Sequence, residues 1–212
     1  MNKEHNVPDA VIKAIKDMVS EKTRTLEWLL EKDNKWEKWF QIELCRLLME
    51  DNYVTDIEYC IDVDKRTNSK NSARNQIDIV YRKKRRDALK TAVELKVSGD
   101  IREGFYRCLG DVNKNKDCTA SQIERERITN FCYVLLYKTN KNTSERQTKK
   151  LLMIKTFLDA ENENGYYWMK ESLTPGLEMV AVCWNKRKDG DFKVWHRGLI
   201  GEFDKLKKTL AK

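Results

Sequence analysis

Apolar residues recur at three- and four-residue steps near the start of the chain. Val11, Ile12, Ile15, Met18 and Val19 follow Pro8-Asp9 and predict a helix that runs or restarts through Leu26, Trp28, Leu29 and Leu30. A second helix is expected from about Asn34, where Asn34 and Glu37 have capping-box spacing. Trp36, Phe40, Leu44, Leu47 and Leu48 form its stripe, and Asp51-Asn52 ends it. The period changes at Tyr53. Residues 53–63 read as a strand, followed by a polar, basic loop; residues 76–82 and 91–97 read as two more. The charged turn RKKRRDALK joins the latter two, so a hairpin is expected. A helix should follow over 101–112, with Ile101, Phe105, Leu109 and Val112 inward. Beyond a polar stretch, residues 130–138 predict a central strand, 144–159 a helix and 178–184 another strand. The segment ENENGYYWMKESLTPG reads as an exposed loop, and a hairpin or strand-helix ends the chain. The expectation is an α/β fold with a mixed sheet flanked by helices. Residues 1–33 would form an N-terminal helical extension and 34–212 one domain, without repeats or a low-complexity linker.

Composition narrows the class. With 40% hydrophobic residues, including six Trp and six Phe, the 212-residue chain can bury a sizeable core. Charged residues reach 36% with signs interspersed, which argues against disorder. Forty-two basic against thirty-four acidic residues give a formal charge of +8, favouring polyanions through counterion release. The six cysteines lack zinc-ligand spacing, and only His5 and His196 could join them. They read as reduced and mostly buried, as in cytosol. The N-terminus lacks a signal-peptide pattern, and no apolar run reaches membrane-spanning length. The expectation is a cytoplasmic protein with no membrane partner.

The chemistry concentrates at Asp78, Glu94 and Lys96. Strand side chains alternate, so Glu94 and Lys96 project together while Val93, Leu95 and Val97 project oppositely. Asp78 sits between Ile77 and Ile79 on the preceding strand, and antiparallel pairing brings it near Glu94 and Lys96. Two carboxylates and an ammonium within apolar strands are costly without a function. A hard divalent cation would relieve the acidic repulsion, with Asp78 and Glu94 as ligands. The bland alternative is a cross-strand salt-bridge ladder on a solvated face.

An acidic residue on one strand followed by acidic-x-Lys on the next resembles the PD-(D/E)xK, or restriction-endonuclease-like, superfamily. Here the motif is IDI with Asp78, then VELKV with Glu94 and Lys96, within a helix–strand–strand–strand–helix–strand order over about 34–138. Ile77 stands where the family name has proline. The resemblance implies a Mg²⁺-dependent hydrolase, with Mn²⁺ as a substitute, cleaving DNA phosphodiesters. RNA is not excluded. An endonuclease of restriction, defence, recombination or repair is expected; the alternative is a non-catalytic nucleic-acid-binding or assembly protein on the same fold. It also implies a glutamate from the helix before the strands. Glu37 and Glu43 both border that helix's stripe, and either fits. No glutamine follows on the next helix, leaving Arg102, Tyr106 or Arg107 to stand in. A homodimer or a partner subunit is left open, with residues 8–32 the first place to look for a dimer contact.

Among basic residues, Lys65, Arg66, Lys70 and Arg74 enter the Asp78 strand at the active end and are favoured for phosphate contacts, with Arg102 and Arg107 also assigned to nucleic acid. The run Arg82–Arg86 lies at the turn end of the hairpin, where a solvated turn is the simpler reading. His196, among aromatics, reads as structural. Tyr166, Tyr167 and Trp168 are loop aromatics that could stack on unpaired bases.

Overall fold

The computed structural model describes residues 8–31, 36–61, 75–85, 88–99, 101–115, 120–138, 169–174 and 176–210. Helices α1 (Asp9–Glu21), α2 (Thr23–Glu31) and α3 (Trp36–Glu50) precede strands β1 (Tyr53–Ile61), β2 (Asn75–Lys83) and β3 (Lys90–Ser98). Helices α4 (Ile101–Lys114) and α5 (Ala120–Arg125) lead to β4 (Ile128–Lys138). Strands β5 (Met169–Thr174) and β6 (Leu177–Asn185), the short α6 (Lys186–Asp189) and α7 (Phe192–Leu210) follow.

The six strands form one mixed sheet in the order β1-β2-β3-β4-β6-β5. Only β3 and β4 pair in parallel; α4 and α5 fill the crossover that a parallel connection requires.

Alternation on the central strands produces two cores. Phe131, Tyr133, Leu135 and Tyr137 of β4 join Trp184 and the inner faces of α4 and α7 (Phe105, Leu109, Phe192, Phe203). Cys132, Val134 and Leu136, one residue out of phase, join Val93, Leu95 and Val97 under α1 and α3. That near-continuous burial is what a central strand covered on both faces requires. The N-terminal helix expected as an extension spends its stripe on this second core: Val11, Ile15 and Met18 are fully buried there with Phe40 and Leu44.

Two sequence expectations meet a different outcome. Part of the segment read as an exposed loop is β5, an edge strand whose polar alternation (MKESLT) gives a weak apolar signal. The polar stretch before β4, to which the sequence assigned no element, contains α5, which buries Ile123. The cysteines are not all reduced: Cys132 and Cys183 oppose each other across β4 and β6 and are disulfide-bonded, with Cα atoms 4.1 Å apart. Their 51-residue separation concealed a pairing that strand register creates, and the cytoplasmic expectation loses that support. Cys45 and Cys108 are free and buried. The helix expected over 144–159 and the aromatics Tyr166, Tyr167 and Trp168 lie outside the described residues. No described helix is long and apolar enough to cross a membrane.

Candidate functional site: an acid–lysine cluster at the splayed end of two strands

The β2–β3 ladder runs from Arg82↔Lys90 to Ile79↔Val93 and stops. The next opposed residues would be Asp78 and Glu94, two carboxylates whose repulsion works against close pairing. The Asp78 side chain instead takes up a backbone donor from β3: Oδ2 accepts the Leu95 N–H at 2.8 Å. Asp78, Glu94 and Lys96 are thereby brought together beside the end of the ladder.

Helix α4 closes the cluster from one face. Asp111 Oδ2 lies 2.8 Å from Lys96 Nζ, and Lys114 Nζ lies 3.2 Å from Glu94 Oε1. Asn115 Nδ2 donates to that same Glu94 oxygen at 2.7 Å. Gly104 allows the helix to approach, since a Cβ there would stand 2.8 Å from Ser98 Cβ and 2.6 Å from Leu135 Cδ1. From the other face, Glu37 of α3 accepts from Lys96 Nζ at 3.0 Å and from the Val97 N–H at 3.3 Å. Arg107 fastens this corner, donating to Glu37 Oε2 at 2.7 Å and to the Val97 carbonyl at 2.8 Å.

Lys96 thus stands among three carboxylates, with Asp78 Oδ2 at 3.7 Å. Burial alone would lower its pKa, but Asp78, Asp111 and Glu37 outweigh that and hold it above the ordinary lysine range. Glu94 is the opposite case. It is 2% exposed, and burial, reinforced by Asp78 and Asp111, raises its pKa from 4.5 to about 8. Its Oε2 is buried without a hydrogen-bond partner. Burial likewise raises Asp111, against the opposing pull of Lys96.

Carboxylate oxygens of Asp78, Glu94 and Asp111 all lie within 4.8 Å of one another. An octahedral Mg²⁺ with ligands at about 2.1 Å spaces its oxygens roughly 3–4 Å apart, so modest side-chain movement would let the three share one cation. Glu94 Oε2 is the oxygen with most to gain.

The remaining expected residues divide. Glu43 is engaged on its own helix, its carboxylate held by Arg46 Nε at 2.9 Å, while Glu37 is the α3 glutamate bonded to Lys96. Arg107 is tied to Glu37 and the β3 backbone beside the cluster, with its side chain 42% exposed. Lys65, Arg66, Lys70 and Arg74 lie outside the described residues, and Arg102 is described by its backbone alone. His196, 3% exposed, stacks on Phe192 and bonds Tyr133 in the core. Asp111, Lys114 and Asn115 were not singled out in the sequence. The signal was there: Gly104, Cys108, Asp111 and Asn115 fall at three- and four-residue steps along the buried side of α4.

The described residues define a mixed α/β protein with a half-buried acid–lysine cluster. No protein-family model, curated protein or solved structure matches the chain.

Proposed function

We propose that the chain is a metal-dependent nuclease that hydrolyses DNA phosphodiester bonds, of the PD-(D/E)xK kind. The observation that carries the reading is Glu94: a carboxylate buried in a cluster of acids, with one oxygen lacking a partner. A buried anion in that condition is costly unless it is neutralised or coordinates a cation.

Asp78, Glu94 and Asp111 would hold Mg²⁺ or Mn²⁺. When bound, such an ion supplies Lewis-acid charge to a phosphodiester and lowers the pKa of water. Lys96 keeps its proton at the cluster's centre, and by exchanging one of its bonds to Glu37, Asp111 or the Leu95 carbonyl it would orient a water or stabilise charge on a phosphate oxygen. Glu37 and Asp111 fix its direction. Arg107 and Lys114 add positive charge beside the acids, where a phosphate backbone would approach.

The test is incubation of the full-length protein with Mg²⁺ and, side by side, supercoiled plasmid and single-stranded RNA. Nicking or linearisation of the plasmid, abolished by EDTA and by Lys96→Ala, is expected. RNA cleavage alone would move the substrate to RNA. A folded, metal-supplied wild type that cuts neither would overturn the reading.

A further inference from the structure

A second feature lies at the opposite end of β2 and β3, where Arg82 is four residues, or roughly 13 Å, beyond Asp78. A cavity of about 750 Å³ opens there among the ends of β1, β2, β3, β4 and β6 and the first residues of α1. That volume is typical of sites that take whole organic ligands. Its chemistry is graded from one wall to another.

Arg82, Lys83, Arg85 and Arg187 line one part of it. Among the described residues none of the four pairs with a carboxylate; Arg82 only touches the Lys83 and Arg85 carbonyls, at 3.5 and 3.4 Å. Among the described residues Asp9 is the one acid on the rim. Helix α1 starts there with no side-chain cap from Pro8, so its first-turn N–H groups add positive potential. Another wall is apolar: Pro8, Ala88 and Leu89 line it, the last 51% exposed. The floor is polar and ordered, with Asn185 donating to Asn130 at 2.7 Å and Asn130 to Thr91 at 3.3 Å. Beside Thr91 stands Tyr81, 3% exposed, whose buried hydroxyl faces the Thr91 side chain.

Four cations converging on one cavity select an anion with several oxygens, and phosphate suits arginine's paired donors. The space exceeds what a bare phosphate fills, and an apolar wall beside a floor of asparagine and threonine side chains fits a planar ring with polar edges. We propose that this cavity binds a nucleoside phosphate, either free or as the phosphorylated end of a nucleic-acid strand. The phosphates lie against the arginines, and the base lies between the Leu89 wall and the Thr91–Asn130–Asn185 floor. The site is separate from the acid–lysine cluster and does not depend on its function.

The experiment is calorimetric titration of the full-length protein in EDTA, which removes binding through a metal bridge. The probes are ATP, GTP, CTP and UTP, inorganic tripolyphosphate, and an oligothymidylate with or without a 5′-phosphate. The expected result is saturable one-to-one binding of a nucleotide or of the 5′-phosphorylated oligomer, tighter than tripolyphosphate. The exposed double variant Arg85→Ala/Arg187→Ala should weaken it about tenfold or more through lost charge-assisted bonds. Leu89→Glu, at an exposed position, should weaken it too, and Lys207→Ala/Lys208→Ala on α7 should not. Preference for free nucleotides, or for the phosphorylated oligomer, identifies the source. Absence of saturable binding, equal affinity for tripolyphosphate, or retained binding in the Arg85/Arg187 variant would each overturn the proposal.

Discussion

Replacing Glu94 by glutamine tests the electrostatics of the cluster without changing its shape. In metal-free protein the Glu94 carboxyl keeps its proton up to about pH 8, whereas in the unfolded chain it ionises near 4.5. Between those values the folded state holds the extra proton, so stability falls as pH rises. The loss approaches about 1.4 kcal/mol per pH unit for one group, and is on the order of 5 kcal/mol across the window. Glutamine cannot ionise. Its oxygen can accept from Asn115, as Glu94 Oε1 does, and its amide can donate toward Asp78 and Asp111. Urea unfolding in EDTA should therefore show Glu94→Gln gaining on wild type by roughly 3 kcal/mol between about pH 5.5 and 7.5. In melting temperature the gain is about 5–10 °C for a chain of this size. Wild type should recover the deficit when Mn²⁺ is added at the higher pH. Parallel stability curves for the two proteins would refute the account of Glu94 as a buried acid forced to ionise beside two others.

Three further outcomes follow from the geometry. Glu37→Gln should lower plasmid cleavage by about tenfold or more, since it loosens Lys96, while Glu43→Gln should leave the rate unchanged; initial rates of nicking decide between them. Gly104→Ala should lower stability by about 1–3 kcal/mol in urea unfolding, because the new methyl meets Ser98 and Leu135 closely and pushes α4 off β3 and β4. His196 is held neutral by burial, its pKa lowered from 6.5 to about 4. The unfolded chain thus takes up a proton first as pH falls through that window, and wild type loses about 3 kcal/mol there; in His196→Phe the acid-side decline measured by denaturant titration should flatten.

How much of this was legible beforehand depended on periodicity. Asp78, Glu94 and Lys96 could be placed on one face because a two-residue period leaves no freedom, and β2 and β3 pair antiparallel as the charged turn implied. Glu37 and Glu43 could not be separated, because both border one stripe and only the seating of α3 on the sheet decides which reaches Lys96. Asp111 was hidden for the opposite reason. A helix read for its apolar positions passes over an acid within its buried stripe, although Asp111 and Asn115 four residues apart on that stripe were the clue. Edge strand β5 and the Cys132–Cys183 pair arise from register across the sheet, which no local window contains.

We propose that Asp78, Glu94 and Asp111 form a metal centre serving phosphodiester cleavage. It is tested most directly by calorimetric titration of Mn²⁺ into wild type and Asp78→Asn at neutral pH. Saturable binding to wild type with release of protons, lost in the variant, is the predicted result. Folded wild type that takes up no Mn²⁺, or a variant that binds it equally well, would contradict it.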